Sequence, residues 1–366
     1  MTTTTDHLTA HQEPTVDASA AEEFAERMFG VFNDSALCLL LSVGHQVGLF
    51  DTMSTLPPST SGEIAAAAGL DERYVREWLG GVTMGRVVEH DPVSARYWLP
   101  AEHAASLTRG AGPGNIARMM QMVPLLAEVE QQVIACFSTG GGVGYEGFTR
   151  FHQWMNEDSV ATHDAGLLDL VVPLIPGLRE SLEAGAAVAD IGCGSGHVVN
   201  LLARAFPNSR FVGYDFALEA IETAREEAAG WGLSNTEFVR RDVAEIDDQE
   251  EYDVVTAFDA IHDQAHPSRV LANIAASLKP GGTFLMVDIQ ASSHVHENLE
   301  HPGGTFLYTV SMMHCMTVSL AQGGDGLGTA WGRQTALQML DDAGFAHVDI
   351  HAIETDPFNS YYVATR

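Results

Sequence analysis

The sequence has 366 residues, of which 46% are hydrophobic and 18% are charged, and its net charge is −31. This length favours two domains over one, and the composition is typical of a globular protein. So acidic a chain repels the phosphates on which non-specific nucleic-acid binding depends. DNA, RNA and anionic membranes are therefore disfavoured as partners.

The apolar runs and the cysteines of the sequence indicate the cellular compartment of the protein. The longest apolar run, residues 36–43, is shorter than the roughly 18 residues that a membrane span needs, so it predicts a buried helix. The N-terminus lacks the basic start and apolar core of a secretion signal. The four cysteines form no C-x-x-C pair and indicate neither a zinc site nor a disulfide framework. We therefore expect a cytoplasmic protein.

The first third of the chain predicts a disordered tail at residues 1–20 and a helical domain at residues 21–110. Thr60 and Glu63 are spaced as a capping box, and Asp71 is placed to cap the following helix. A short strand then follows, which completes a winged-helix pattern. The helix after Asp71 has no excess of basic residues, which favours a dimerisation or scaffold role over DNA reading, and we expect a homodimer.

The remaining chain changes pattern twice. Residues 111–180 are mainly helical and are expected to link the two halves and contribute to the active site. From residue 181 to residue 366, short β-branched or aromatic runs alternate with amphipathic helices, which is typical of a parallel α/β sheet. Seven strands are predicted, and an insertion at residues 289–331 is expected to form a lid over the substrate.

The first of these strands ends in a glycine-rich turn, AVADIGCGSGH at residues 187–197. A dinucleotide fingerprint starting at Gly192 would need its third glycine where His197 stands, and no phosphate-loop lysine follows. The observed pattern is D-x-G-x-G-x-G, formed by Asp190, Gly192, Gly194 and Gly196. Its glycines let the backbone pass close to a ligand.

This turn resembles the first motif of S-adenosylmethionine-dependent methyltransferases, in which the loop holds the amino-acid end of the cofactor. Residues 260–288 and the segment FHQWMNEDS at 151–159 are similar to small-molecule O-methyltransferases of the plant and bacterial type. Their winged-helix-like N-terminal domain matches residues 25–110. The resemblance implies a Rossmann-like methyltransferase sheet that binds S-adenosylmethionine, in a chain similar to actinobacterial, mycobacterial-like methyltransferases with an N-terminal winged helix.

Further cofactor contacts are expected at the strand ends. Asp215 ends the second strand, where its carboxylate can accept hydrogen bonds from both ribose hydroxyls, and Phe216 can lie against adenine. Asp242 follows the third strand and is placed to accept from the adenine amino group. Its neighbour Val243 and Phe258, at the end of the fourth strand, complete the predicted cofactor site. Taken alone, each aspartate also fits a strand end or a helix cap.

Methyl transfer is an in-line displacement, and a hydroxyl acceptor needs a base to take its proton. In the resembling family this base is the histidine of an H-D pair after the fourth strand, which corresponds to His262. Its neighbour Asp263 is expected to cap the next helix or contact the cofactor. The chain departs from the family pattern at Gln264, where tryptophan is usual, and at Asp288, where glutamate is commoner.

Apolar side chains from two segments are candidates for the acceptor pocket. The linker segment supplies Phe151 and Met155, and the insertion supplies Met312, Met313 and His314. The flexible methionines suit a flat or apolar acceptor, although such a stripe also fits plain core. The histidines and glutamates at residues 294–301 have no predictable ligand geometry, so no metal site is predicted.

The sequence thus predicts a methyltransferase that acts on a small-molecule acceptor, with a hydroxyl as the first candidate. Two alternatives stay open. One is a transcription regulator with a winged-helix domain and a catalytically degenerate, S-adenosylmethionine-sensing domain. The other keeps the fold and uses the sulfonium cofactor as a structural element in different chemistry. The acceptor itself, including a nitrogen or carbon nucleophile, is left open.

Overall fold

The chain divides into two compact units, Met1–Ala104 and Ala105–Arg366. The structure, a computed structural model, describes residues 16–366. Most of the predicted tail at residues 1–20 lies outside the described residues. Its last three residues are helical, contrary to the prediction, because Asp17 caps a helix by accepting hydrogen bonds from the N–H groups of Ser19 and Ala20.

The first unit is a set of helices followed by a short hairpin. The predicted capping box is present, since Thr60 Oγ1 accepts from the N–H of Glu63 at 3.3 Å and the Glu63 carboxylate accepts from the N–H of Thr60 at 2.8 Å. Asp71 caps the next helix as predicted. The elements are α1 (Ala18–Gln46), α2 (Leu49–Thr55), α3 (Ser61–Ala68), α4 (Glu72–Met84), β1 (Glu89–Asp91) and β2 (Arg96–Trp98), with α5 (Ala101–Leu107) at the boundary.

Helix α1 departs from the sequence prediction of a buried helix. Its C-terminal part packs on α4, where Trp78 Nε1 donates to the carbonyl of Leu40 at 2.8 Å. Its N-terminal part, up to residue 36, is exposed on every side, with Phe29 and Phe32 at 73% and 71% exposure, because no element of the described unit covers it. By length and composition alone, α1 could also cross a membrane, a test that core helices of soluble proteins pass as well.

The second unit begins with linker helices. They surround a small apolar cluster that includes Leu125, Val129, Phe148 and Met313. Helix α9 continues directly into a π-helical turn, the wider helical turn that is frequent at functional sites. The elements are α6 (Ile116–Met119), α7 (Met122–Ala127), α8 (Glu130–Thr139), α9 (Phe151–Gly166), the π turn Leu167–Val171 and α10 (Leu178–Ala184), with 3₁₀ segments at Arg109–Gly114, Tyr145–Gly147 and Val172–Leu174.

A seven-stranded sheet in the order β5-β4-β3-β6-β7-β9-β8 follows, as predicted. Strands β3 to β7 are parallel, and β9 runs antiparallel to β7 and β8. The strands are β3 (Ala187–Ile191), β4 (Arg210–Asp215), β5 (Thr236–Arg240), β6 (Tyr252–Phe258), β7 (Leu278–Ile289), β8 (His347–Ile353) and β9 (Asp356–Thr365), and the helices between them are α11 (His197–Ala205), α12 (Leu218–Gly230), α13 (Pro267–Ser277) and α16 (Gly332–Asp342).

Both faces of the sheet are buried. Successive side chains of a strand point to opposite faces, so Val188 belongs to one apolar core and Ala189 to the other. The chain runs from β3 outward to β4 and β5, then returns to place β6 on the other side of β3. Ligands of open α/β sheets bind where the strand order reverses in this way, which directs attention to the carboxyl ends of β3 and β6.

The predicted insertion at residues 289–331 is mainly helical. It contains the 3₁₀ segment Val295–Asn298, α14 (Gly304–Val310), the π turn Ser311–Cys315 and α15 (Met316–Ala321). Met313, His314 and Cys315 are all buried, although they are consecutive in the sequence. The wider π turn brings these neighbouring side chains to the inner side of the helix.

Candidate active site

The glycine turn after β3 has the backbone that its sequence predicts. Gly192, Gly194 and Gly196 have φ values of +68°, +53° and +70°, which favour glycine. A Cβ on Gly192 would lie 2.6 Å from the Cβ of Ala260, and one on Gly196 would lie 2.4 Å from the ring of Phe238. A Cβ on Gly194 would meet nothing within 4 Å. The outer glycines therefore serve packing, and the middle one leaves an open surface.

Two aspartates bracket this turn. Asp190 is buried, and its Oδ1 accepts from Thr256 Oγ1 at 2.6 Å, which ties β3 to β6. Burial raises the pKa of Asp190 to about 7, with Asp215 adding to the shift and Thr256 opposing it. Asp215 accepts from the N–H of Gly194 at 2.9 Å with one oxygen and from the N–H of Ala217 at 2.8 Å with the other.

The rest of the predicted cofactor residues are spread along the same edge. Phe216 is 40% exposed, and its ring centroid lies 5.2 Å from that of Tyr145. Asp242 caps the 3₁₀ segment Val243–Glu245 by accepting from the N–H of Ala244 at 2.8 Å. Val243 is buried in the core, and the ring of Phe258 lies 5.1 Å from that of His163. The cofactor roles of these residues stay predictions.

His262 and Asp288 form a buried pair at the ends of β6 and β7. His262 Nδ1 lies 2.9 Å from Asp288 Oδ1, and the same oxygen accepts from Trp331 Nε1 at 3.0 Å. Burial alone would lower the pKa of His262. The charges of Asp288 and Cys315 and their hydrogen bonds to the ring outweigh burial, so that this pKa lies well above its usual range.

Asp263 does not cap the following helix, which was one of its two predicted roles. Helix α13 begins at Pro267 without a side-chain cap, whereas Asp263 Oδ2 accepts from the hydroxyl of Tyr145 at 2.6 Å. Burial raises the pKa of Asp263. The contact brings the linker loop to the His262 segment, so Tyr145 is a site residue that the sequence analysis missed.

The predicted acceptor residues converge on His314. The ring of Phe151 stacks on that of His314 with centroids 3.7 Å apart, and Phe148 meets the same ring edge-on at 4.6 Å. Met313 and Met312 pack in the apolar cluster that also contains Phe151. Met155 is half-buried. The structure therefore brings the linker and the insertion together next to the His262 pair.

Helix α9 also contacts the glycine turn directly. Ser195 Oγ donates to Asn156 Oδ1 at 2.6 Å, and His197 Nε2 lies 3.3 Å from Asp164 Oδ1. Asn156 lies in the FHQWMNEDS segment but was not predicted as a site residue, because the family pattern leaves its position unspecified. Among residues 16–366, no group of three His, Cys, Asp or Glu side chains is arranged to hold a metal ion.

Comparison with family models identifies both parts of the chain. Residues 35–109 match the Rv2258c-like winged HTH domain, and residues 182–344 match a methyltransferase domain. Similar proteins include phthiotriol/phenolphthiotriol dimycocerosates methyltransferase 1 of Mycobacterium ulcerans, 30% identical over 31% of this chain and 41% of that protein. Trans-aconitate 2-methyltransferase of Methylobacterium nodulans is 28% identical over 36% of this chain and 47% of that protein. The chain thus spans less than half the length of these relatives.

Solved structures share the fold over nearly the whole chain. A putative O-methyltransferase from Nostoc punctiforme has a TM-score of 0.71 at 19% identity, over 96% of this chain and all of that one. Mitomycin 7-O-methyltransferase has a TM-score of 0.68 at 18% identity, over 95% and 100%. Human N-acetylserotonin methyltransferase, solved with S-adenosylmethionine, has a TM-score of 0.65 at 16% identity, over 97% and 99%.

The fold and the family matches define a class of protein, a winged helix-turn-helix domain followed by a methyltransferase domain. The chain belongs to this class, and the predicted fold and family resemblance are confirmed. The site residues fit the cofactor of such domains. Gly194 offers open space beside the Asp215 carboxylate, and Phe216 leaves part of its ring accessible.

Proposed function

We propose that the protein transfers a methyl group from S-adenosylmethionine to a hydroxyl of a small-molecule acceptor. The observation that carries this proposal is the buried contact between His262 Nδ1 and Asp288 Oδ1, which is 2.9 Å long. His262 follows β6, and β6 pairs with β3, the strand that precedes the glycine turn. The methyltransferase domain at residues 182–344 supports the reaction class and the cofactor.

The cofactor, when bound, supplies an activated methyl group on a sulfonium sulfur. Asp215 would hold the ribose, since its carboxylate is fixed by the N–H groups of Gly194 and Ala217 and keeps further lone pairs. Phe216 would lie against adenine, with Asp242 near the adenine amino group. Asp190 and the three glycines of the turn would surround the amino-acid end.

His262 would act as the general base. With Nδ1–H donated to Asp288, the other ring nitrogen of the neutral imidazole would take the acceptor proton in place of its contact with Cys315. The ring is buried, and its hydrogen bond to Asp288 also fixes the orientation of the ring plane. The aromatic and methionine side chains around His314 would exclude water and hold the acceptor, as the transfer requires.

The proposal is tested with the variant His262→Ala. Calorimetry should show S-adenosylhomocysteine binding to both proteins, since the cofactor residues are untouched. With an acceptor found by a cofactor-consumption screen, turnover should fall roughly 10²- to 10⁴-fold, the usual effect of losing a general base. Unchanged turnover would show that His262 is not the base. No binding of S-adenosylhomocysteine by the unaltered protein would overturn the methyltransferase assignment.

The winged-helix domain is also compatible with the alternative function, a DNA-binding transcription regulator. In α4, Arg73 pairs with Glu77 and Arg76 pairs with Glu72 at 3.1 Å, so the arginines of the would-be recognition helix are neutralised within it. This pairing supports the catalytic proposal over a DNA-binding regulator. We further propose that the protein works as a cytoplasmic homodimer that pairs through the exposed apolar face of α1.

A further inference from the structure

A second buried charge lies close to the site and takes no part in the proposed chemistry. Arg118, on α6, is 4% exposed, and its Nη2 forms an ion pair of 3.0 Å with Asp158 Oδ1. Its Nε and Nη1 are buried and have no hydrogen-bond partner among the described residues. A guanidinium has five N–H donors, and leaving charged donors unmatched in the interior is costly. An acceptor from outside the chain would complete this group.

Helix α9 connects this guanidinium to the apolar wall of the site. The carbonyl of Arg118 accepts from Trp154 Nε1 at 3.2 Å, and Asp158 lies one turn further along α9. Trp154 packs against the same apolar cluster as Phe151 and Met312. The backbone of Arg118 therefore contacts a side chain of the apolar cluster that contains Phe151 and Met312, two candidates for holding the acceptor.

Asp158, the ion-pair partner of Arg118, lies within electrostatic range of Asp259. The charge of Asp158 acts on Asp259, which also feels Asp288 and His262. Asp259 follows β6 directly, three residues before His262, and has a φ of +50°. Through Asp158, the ion pair of α6 and α9 is thus coupled to a carboxyl that also senses the charges of Asp288 and His262.

We propose that Arg118 binds a carboxylate carried by the methyl acceptor, so that the substrate is a hydroxy acid. This inference rests on the proposed methyl transfer. A planar guanidinium matches a planar carboxylate, and such pairs are among the stronger charge-assisted hydrogen bonds. A phosphate ester would add a second negative charge beside Asp158, on which the charges of Asp356 and Glu157 already act, and this single cation could not balance it.

The nearby acids do not exclude a singly charged ligand. Burial raises the pKa of Asp158, and Arg118 opposes that shift. Burial and the charge of Asp288 raise the pKa of Asp259 well above its usual range. Either carboxyl can therefore take up a proton when an anion enters, which keeps the region close to neutral.

The test compares three probes that differ at one group: 3-hydroxy-2-naphthoate, its methyl ester and 2-naphthol. Binding is measured by calorimetry on protein saturated with S-adenosylhomocysteine. The unaltered protein should bind the carboxylate at least about 10-fold more tightly than either neutral probe, the effect of one charge-assisted contact. Arg118→Met, which keeps the length of the side chain, should bring the three affinities to within about twofold.

Arg150→Met is the matched control. Arg150 also pairs with a linker carboxylate, but both its Nε and its Nη2 donate to Glu128, so this variant should keep the preference. If Arg118→Met does not fold, Arg118→Lys, which loses the planar fork, should lose most of the preference. Three outcomes would overturn the inference and indicate that water completes the guanidinium. They are equal affinities for the three probes in the unaltered protein, no binding of the carboxylate, and a preference for the carboxylate that persists in the Arg118 variants. Failure of S-adenosylhomocysteine to bind would instead overturn the proposed methyl transfer.

Discussion

At the scale of single residues, Asp288 determines the state of the proposed base. Its Oδ1 accepts from His262 Nδ1, Trp331 Nε1 and the N–H of Ile289, while Oδ2 is buried without a partner among the described residues. The three donors fix the carboxylate, and the carboxylate in turn fixes the imidazole. The same contact stabilises the protonated ring, so the pair binds its proton firmly and gives it up only above the usual pKa of histidine.

The pH dependence of catalysis should report this pair. A base must be neutral to accept a proton, and the pKa of His262 is raised by Asp288 and Cys315 against the opposing effect of burial. Activity should therefore increase with pH through a pKa above the usual histidine value. In Asp288→Asn the charge is lost, so the pKa of His262 should fall and the acidic limb of kcat/KM should move to lower pH.

The same variant should also lower the plateau rate. A misplaced base costs up to about 10²-fold in rate, whereas S-adenosylhomocysteine affinity should hardly change. Asp288→Glu keeps the charge and should restore the position of the acidic limb. A profile that is identical in all three proteins would contradict the positioning role of Asp288.

At the scale of elements, the sequence predicted what local patterns encode. The capping box at Thr60, the seven strands taken one by one and the D-x-G-x-G-x-G turn all depend on residues close in sequence. The contact between Tyr145 and Asp263 spans 118 positions, and no spacing rule predicts it. The π turn that buries Met313, His314 and Cys315 could not be predicted either, because burial is predicted from the 3.6-residue period of an α-helix and a π turn does not follow that period.

The glycine turn offers a matched pair of substitutions. Gly192→Ala should lower the free energy of unfolding by about 1–3 kcal/mol, since the new Cβ meets Ala260 and the positive φ is strained. Gly194→Ala should cost only about 1 kcal/mol, because its Cβ meets nothing. It should nevertheless weaken S-adenosylhomocysteine binding at least about tenfold, since that space is where the ligand would approach.

Denaturant unfolding and calorimetry on both variants give the two readouts. Gly62→Ala is a suitable control, because Gly62 lies in α3 with open space around its Cα. Gly62→Ala should change the free energy of unfolding by no more than about 1 kcal/mol and should leave the affinity for S-adenosylhomocysteine unchanged. Normal S-adenosylhomocysteine affinity in Gly194→Ala would show that the open face of the turn does not adjoin the cofactor.

At the scale of the whole molecule, a strongly acidic chain carries a long apolar stripe. Helix α1 has 29 residues and is about 43 Å long, and the stripe along one side includes Phe24, Met28, Phe32, Leu39 and Val43, all at least 37% exposed. An apolar stripe of this length suits an interface burying roughly 800 Å² on each partner, as stable dimers require. A second copy presents the same stripe, so a twofold pairing satisfies both.

Removing the apolar character of the stripe should therefore separate the proposed homodimer. In Phe24→Glu/Phe32→Glu, light scattering coupled to size-exclusion chromatography should give the mass of one chain at concentrations where the unaltered protein gives two. Because the net charge of −31 opposes association, the dissociation constant of the unaltered dimer should also decrease as salt rises. Val93→Glu adds charge at a residue that is 93% exposed outside the stripe and should leave the dimer intact. If the double variant stays dimeric, the dimer interface lies elsewhere, and the stripe of α1 would instead bind another partner.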